Sequence, residues 1–183
     1  MNVLLYALVV VIWGTTWIAI SLQQQSGIST NVAVFWRFFI SALVLFAFIV
    51  LCRKLQKLAV KDHLFCVLQA CCIFGFNFVC FYYAVQYISS GLEAVIFSMA
   101  VIFNTLNAKL FFGQQVSTRF YPAALLGGLG IIALFWHDVI GSTLNTHTLM
   151  GIGLCVLGTY GFSLGNMISA RHQKNGLDIF TTN

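Results

Sequence analysis

The stretch VAVFWRFFISALVLFAFIVLCRKLQKLAVK, residues 32–61, indicates both the fold class and the orientation of this chain. Its first part, Val32–Cys52, is almost continuously apolar and is long enough to cross the roughly 30 Å hydrocarbon core of a bilayer as one helix. The apolar run is continuous rather than alternating, which predicts a helix and not a strand. A basic segment follows directly, with Arg53, Lys54, Lys57 and Lys61.

The composition of the whole chain agrees with that reading. Hydrophobic residues make up 60% of the 183 residues, charged residues make up 7%, and the mean hydropathy is +0.94. A soluble domain carries about 25% charged residues, so these few charges cannot cover a water-facing surface. We therefore expect an integral membrane protein whose main partner is the lipid bilayer. The net charge of +5 predicts no nucleic-acid partner, because the basic residues lie in short loops and not on one folded face.

Six segments are long and apolar enough to be considered as membrane-spanning helices. The fifth is the shortest, and the only proline of the chain, Pro122, stands near its start. The expected fold is an all-α polytopic membrane helix bundle. The segments are Val3–Leu22, Val32–Cys52, Leu64–Ala84, Gly91–Phe112, Phe120–Trp136 and Leu149–Ala170.

The basic residues predict the orientation of this bundle. Of the nine lysines and arginines, all but Arg37 lie in or beside the segments that follow helices 2, 4 and 6. Basic loops remain on the cytoplasmic side of a membrane. The sequence therefore predicts that the amino terminus and the carboxyl-terminal segment are both cytoplasmic.

Polar residues within the apolar segments are the first candidates for a functional site. In helix 4, Glu93, Asn104 and Asn107 share one helical face, and Asn77 lies in the middle of helix 3. Such groups are expected to face the interior of the bundle or a cavity, because lipid offers them no partners. One interpretation is a polar transport path, and the alternative is hydrogen bonding between helices, worth about 0.6 kcal/mol per bond.

Arg37 is the one basic residue inside an apolar segment. It lies roughly 8 Å from the outer end of helix 2, and Glu93 lies near the outer end of helix 4. We expect the two to lie at similar depth and to form a possible intramembrane ion pair. The alternative is that the Arg37 side chain extends to the outer headgroups.

Two further patterns concern helices 1 and 6. Trp13 and Trp17 lie on one stripe of helix 1, and Trp13 falls near the middle of the membrane, where an aromatic side chain lines a cavity or packs between helices. Gly161 and Gly165 in helix 6 form a GxxxG pattern, which permits close contact between helices.

Catalytic patterns are missing from the sequence. It contains no GxSxG, HExxH or phosphate-binding loop, and its histidines and cysteines are not arranged at metal-ligand spacing. We expect no enzymatic activity, no catalytic residue, no cofactor and no metal.

Several segments together resemble the drug/metabolite transporter superfamily and, within it, the EamA-type branch. They are VVVIWGTTWIAI in helix 1, FWRFFISALVL in helix 2, FYYAVQYISSGLEAVIFS across helices 3 and 4, and LNAKLFFGQQVS at the end of helix 4. The resemblance implies a secondary transporter that moves amino acids, metabolites or drugs, mostly outward. It also implies ten helices in two five-helix repeats of inverted topology.

Individual positions match that family pattern or depart from it. Trp13-Gly14 match an aromatic-glycine pair in the first helix, and Arg37 matches an arginine often found in the second. Gln114 stands where the family usually has a glutamate. No proline stands in the middle of helix 4, so the resemblance predicts that this helix lacks the family's usual break.

The resemblance also predicts the organisation of the chain into repeats. Residues 1–137 correspond to a first five-helix repeat, and residues 148–183 correspond to the start of a second, with one helix and a cytoplasmic tail. Tyr160-Gly161 in helix 6 echoes Trp13-Gly14 in the opposite direction. We therefore expect a chain truncated after the sixth helix, with residues 176–183 forming a loop.

Two functions remain open at this point. The first is a secondary transporter, or the amino-terminal part of one, that exports a small metabolite, amino acid or drug-like solute. Its candidate path consists of Trp13, Trp17, Asn77, Glu93, Asn104 and Asn107. The second is an inactive remnant or a membrane interaction protein that does not transport. A homodimer is possible in either case, and the resemblance implies the bacterial inner (plasma) membrane.

Overall fold

The computed structural model describes residues 3–134 and 146–182, and within these ranges the chain forms helices and connecting segments without strands. We number the helices α1 to α7 in chain order. They are α1 (Val3–Gln25), α2 (Thr30–Leu51), α3 (Val60–Ala84), α4 (Ser90–Phe112), α5 (Phe120–Leu134), α6 (Thr146–Lys174) and α7 (Ile179–Thr182).

The predicted membrane-spanning segments correspond to α1 through α6. Five of these helices are long and apolar enough to cross a bilayer, whereas α5 is shorter. The predicted end of the fifth segment, Trp136, lies outside the described residues, as does most of the predicted boundary between repeats. Several helices extend past the predicted ends, since a helix continues into polar residues after its apolar run has ended; α6 is the clearest case, reaching Lys174.

Helix α3 contains an irregular turn in its middle. Cys71–Phe76 adopts a π-helical conformation between two α-helical parts, Val60–Ala70 and Asn77–Ala84. Such a turn holds one extra residue and shifts the side chains that follow it around the helix axis. Phe74, Asn77 and Phe78, in and directly after this turn, line a cavity between the helices.

Helix α4 is interrupted, contrary to the expectation of an unbroken helix without proline. Its two halves, Ser90–Phe97 and Ala100–Phe112, meet at a turn formed by Ser98 and Met99. The Ser98 hydroxyl donates a 2.6 Å hydrogen bond to the carbonyl oxygen of Val95. Serine side chains compete in this way for helix carbonyl groups and bend helices, so a serine accompanies the break in a helix that contains no proline.

Helix α6 lies at the centre of the bundle, packed against α3 and both halves of α4. Glycines make this packing possible. A Cβ atom at Gly158 would lie 2.9 Å from Cys80 Cβ, and one at Gly161 would lie 2.6 Å from Phe76 Cδ1. Gly165 faces Ile73 in the same way. The close helix contact predicted from Gly161 and Gly165 is confirmed.

The end of the bundle that carries most of the basic residues is held by polar contacts. Arg171 of α6 forms an ion pair with Asp62 of α3, with an N–O distance of 3.2 Å, and its guanidinium lies 3.8 Å from the centroid of the Phe65 ring. The prediction of a loop at residues 176–183 is wrong for Ile179–Thr182, which form α7. The Thr181 hydroxyl donates a hydrogen bond to the Lys54 carbonyl oxygen, and this contact between distant residues stabilises the short helix.

The outer surface of the bundle is apolar. Helix α1 buries only Ile20 among its residues, and large side chains such as Leu4, Val44 and Leu125 are exposed. Soluble proteins rarely expose so much contiguous apolar surface to water. The surface is that of a polytopic protein embedded in lipid.

Candidate functional site

A cavity of about 270 Å³ lies between α1, α2, α3, α4 and α6. Its walls are mostly aromatic, and Arg37 is the only charged residue among the described residues that line it. The lining comprises Ile12, Trp13, Thr16, Trp17, Ile20, Arg37, Ile73, Phe74, Asn77, Phe78, Phe81, Phe97 and Phe162.

The aromatic walls form one connected cluster. The Phe97 ring of α4 lies 5.3 Å from Trp17, 5.8 Å from Trp13 and 5.0 Å from Phe162, measured between centroids. Phe81 of α3 completes the cluster, 5.1 Å from Trp17. Tilted and edge-to-face pairs at these separations are favourable. Trp13 nevertheless remains 52% exposed.

The Arg37 side chain points into the bundle and not to the membrane surface. Its guanidinium carbon lies 4.8 Å from the centroid of the Phe78 ring, and Nη1 lies 3.4 Å from the Tyr82 hydroxyl oxygen. The predicted ion pair with Glu93 does not form. Among residues 3–134 and 146–182, the only ion pair joins Arg171 to Asp62. Arg37 instead contacts the aromatic residues Phe78 and Tyr82 of α3.

A polar network lies beside Arg37, where α1, α2 and α3 meet. The fully buried Tyr82 donates a hydrogen bond from its hydroxyl group to Gln23 Oε1. Gln24 Nε2 donates to the Tyr82 carbonyl oxygen at 3.0 Å and to the Thr30 hydroxyl at 3.1 Å. These contacts tie the three helices together at one end of the cavity and hold Tyr82 next to Arg37.

Asn77 combines a structural contact with a free acceptor. Its Nδ2 atom donates a 3.2 Å hydrogen bond to the carbonyl oxygen of Gly158 in α6. Its buried Oδ1 atom has no hydrogen-bond partner in the part of the chain that the structure describes. A buried acceptor without a partner is costly, and here it belongs to a residue that lines the cavity.

Glu93 lies in the protein interior but not among the residues that line the cavity. Its side chain is 0% exposed, and neither carboxylate oxygen has a hydrogen-bond partner within the described residues. Its backbone carbonyl oxygen lies 3.6 Å from Cys155 Sγ of α6. Glu93 is therefore an isolated carboxyl group between α4 and α6.

The two asparagines of α4 are engaged by α6. Asn107 Nδ2 donates a 2.9 Å hydrogen bond to the Ser163 hydroxyl, and Asn104 Oδ1 accepts one of 3.3 Å from Asn166 Nδ2. Neither asparagine is among the residues that line the cavity. Their contacts match the alternative of hydrogen bonding between helices.

Of the candidate residues from the sequence, the structure brings Trp13, Trp17, Asn77 and Arg37 together around the cavity and leaves Glu93, Asn104 and Asn107 outside it. Sequence reasoning missed the residues that complete the walls. The four-residue spacing of Asn77 with Phe81 and of Phe78 with Tyr82 gives a signal for one face of α3. Phe97 and Phe162 carry no such signal, because phenylalanine is common in every apolar segment of this chain.

The site offers binding groups rather than a reactive set. No grouping of His, Cys, Asp and Glu that would hold a metal occurs in the described ranges. One cation, one amide and aromatic faces can orient a small molecule by charge, hydrogen bonding and stacking. None of them is placed beside a partner that would activate a nucleophile.

Comparison with known proteins identifies the family. The model of the EamA-like transporter family matches residues 1–136, which include α1 through α5 and make up most of the chain. Searches of curated proteins and of solved structures found no significant match. With a polytopic helical bundle, a cavity between its helices and a family match over most of its length, this chain belongs to the EamA-like transporter family.

Proposed function

We propose that the protein is a secondary transporter that binds a small solute in the cavity between α1, α2, α3, α4 and α6. The single observation that carries this proposal is the cavity itself, a largely aromatic space of about 270 Å³ between the helices that contains one cation and one amide. Small-molecule sites combine apolar walls with a few polar groups in this way. Membership of a transporter family supports the same function.

The proposed site consists of Trp13, Trp17, Arg37 and Asn77. Its location within a helical bundle agrees with transporters, in which solutes bind near the middle of the membrane. The direction we propose is outward, as the resemblance implies. The basic loops support a cytoplasmic position for both described ends of the chain.

Glu93 is proposed as the residue that couples transport to an ion gradient. The sequence has no ATP-binding motif, so an ion gradient or the solute gradient supplies the driving force. A carboxyl group buried without a partner is costly in its charged form. A second conformation that brings Glu93 into contact with water would therefore bind or release a proton, linking solute movement to protons.

Filling the cavity tests the proposal. Thr16 lines the cavity, whereas the adjacent Thr15 is exposed on the same helix. We expect Thr16→Trp to reduce counterflow of labelled solutes into proteoliposomes by more than about tenfold, since it occupies the binding space. Thr15→Trp is the matched control and should retain counterflow. If both variants transport like the unmodified protein, the cavity is not the transport site.

The role of Glu93 is tested separately. Counterflow by Glu93→Gln should persist, because exchange of solute needs no proton movement. Uptake driven by a pH gradient should be lost. A Glu93→Gln variant whose gradient-driven uptake and pH dependence are unchanged removes Glu93 from the coupling role but leaves the cavity proposal intact.

A further inference from the structure

Arg37 is a cation in an otherwise neutral cavity. Every other described residue in the lining is aromatic, aliphatic, a threonine or an asparagine. A charged side chain within a membrane is costly and is usually paired. The chemistry of the cavity therefore depends on what neutralises Arg37.

No carboxylate of the described chain neutralises Arg37. Asp62 pairs with Arg171, and Glu93 is buried outside the cavity lining. Asp178 caps α7, because its carboxylate accepts a hydrogen bond of 3.0 Å from the Thr181 N–H. The fourth acidic residue, Asp138, lies outside the described residues.

The contacts that Arg37 does make leave most of its hydrogen-bonding capacity unused. A guanidinium group has five N–H donors, and the structure gives it one hydrogen bond, of 3.4 Å, to the Tyr82 hydroxyl. The ring of Phe78 lies on one face, 4.8 Å from Cζ, and fixes the plane of the group without using its donors. The remaining N–H donors of the guanidinium group are therefore available to bind an oxyanion.

The aromatic residues supply the second half of the recognition. Trp17, Phe97 and Phe81 lie with ring centroids 5.1 to 5.5 Å apart along the wall. Such rings favour a flat or apolar molecular body over a hydrated one. The volume of about 270 Å³ suits a molecule of roughly ten to fifteen non-hydrogen atoms and is small for a drug-sized ligand.

We infer that the cavity binds a small organic anion, with its carboxylate on Arg37 and its apolar or aromatic body against Trp17, Phe97 and Phe81. The inference rests on the proposed transport function for its biological meaning, but binding itself is measurable without transport. Arginine recognises carboxylates through two parallel hydrogen bonds. A neutral amide of the same shape satisfies that geometry poorly and supplies no charge.

The test compares three molecules of nearly equal shape: phenylacetate, phenylacetamide and phenethylamine. Their binding to the purified full chain in phosphatidylcholine nanodiscs is measured by calorimetry. We expect the unmodified protein to bind phenylacetate at least tenfold more tightly than the amide and the amine, a difference of about 1.4 kcal/mol or more. Arg37→Gln should abolish this ratio, and Arg37→Lys should retain part of it.

Arg53→Gln is the matched control, since Arg53 is an exposed arginine that follows α2 directly. It should leave the ratio unchanged. The ratio in the unmodified protein needs no variant, so the test stands even if Arg37→Gln fails to fold. The inference is overturned if phenylacetate binds no better than phenylacetamide, if no anion of the set binds, or if Arg37→Gln keeps the preference.

A lipid phosphate is the other source of an oxyanion for Arg37. Repeating the measurement in dodecyl maltoside micelles, which contain no phosphate, and in nanodiscs with phosphatidylglycerol added distinguishes the two sources. An unchanged phenylacetate affinity supports a solute site, whereas competitive loss of binding assigns Arg37 to lipid and overturns the inference.

The outcome is separate from that of the transport proposal. If Thr16→Trp abolishes counterflow but the unmodified protein shows no preference for the anion, the transport proposal stands and the anion inference is rejected. If the protein binds the anion but shows no counterflow, the anion inference stands and the transport proposal is rejected.

Discussion

Asn77 of α3 donates a hydrogen bond of 3.2 Å from Nδ2 to the backbone carbonyl oxygen of Gly158 in α6. The bond is possible because Gly158 has no side chain: a Cβ atom there would lie 3.1 Å from the Asn77 carbonyl oxygen and 2.9 Å from Cys80 Cβ. The residue that lines the cavity and the glycine that permits close packing thus form one contact. The cavity wall depends on how closely α3 approaches α6.

Replacing Gly158 tests that dependence. Gly158→Ala should destabilise the bundle by about 1–3 kcal/mol, because the added methyl group meets backbone and Cβ atoms that cannot move aside. Gly153→Ala, on the same helix, is the control, since nothing lies within 4 Å of the position that its added methyl group would occupy. Thermal unfolding of both variants in detergent, followed by size-exclusion chromatography, gives the comparison. Equal melting temperatures would contradict the close approach.

Asn107 and Ser163 should be energetically coupled. Their 2.9 Å hydrogen bond is buried between α4 and α6, and such bonds in membranes average about 0.6 kcal/mol. A double-mutant cycle with Asn107→Ala and Ser163→Ala measures the coupling from unfolding free energies. Additive effects would show that the bond contributes nothing. Solute affinity should be unchanged in Ser163→Ala, which lies outside the cavity lining.

Glu93→Gln should fold as well as the unmodified protein or better. The carboxyl oxygens have no partner among residues 3–134 and 146–182, so the neutral isostere loses no hydrogen bond. Glu93→Lys should be destabilised by several kcal/mol, because it places a longer charged group in the same buried position. The measurement is the yield of monodisperse protein and its melting temperature. A marked loss for Glu93→Gln would reveal a partner that this conformation does not show.

The ion pair between Asp62 and Arg171 should contribute modestly. Both Arg171 Nη atoms lie 3.2 Å from Asp62 Oδ1. The side chain of Arg171 is 24% exposed and that of Asp62 is 18% exposed. Partly exposed pairs of this kind contribute about 1 kcal/mol or less. A cycle with Asp62→Asn and Arg171→Gln isolates the pair term, which should shrink in high salt. A salt-independent coupling would assign the effect to packing against Phe65.

The orientation predicted from the basic loops can be measured directly. Ser26 and Lys57 are both exposed and lie at opposite ends of α2. After removal of the six native cysteines, Ser26→Cys should react with an impermeant maleimide added outside intact cells. Lys57→Cys should react only after the membrane is opened. The reverse pattern would show that the basic end faces outward, and the proposed direction of transport would have to be revised.

The family pattern and the structure give different accounts of the break in α4. A missing proline in a sequence predicts an intact helix, because proline is the strongest local cause of a break. The break instead coincides with a bond from Ser98 to the Val95 carbonyl oxygen, a feature that a sequence signals only faintly, since most serines in helices leave the helix unbroken. The turn at Ser98 and Met99 lies next to Phe97, so it also positions a cavity wall.

The sequence by itself determined the membrane-embedded helical fold, the approximate helix bounds, the close approach at Gly161 and Gly165, and the family. These follow from hydropathy and local spacing, which depend on residues near each other in the chain. Only the tertiary structure decided that Arg37 lies against Phe78 and not beside Glu93, that Asn107 bonds Ser163, and that Phe97 and Phe162 meet Trp13. Each of these depends on the relative rotation and depth of helices. Rotation and depth are set by packing between distant segments, and a hydropathy pattern carries no information about them.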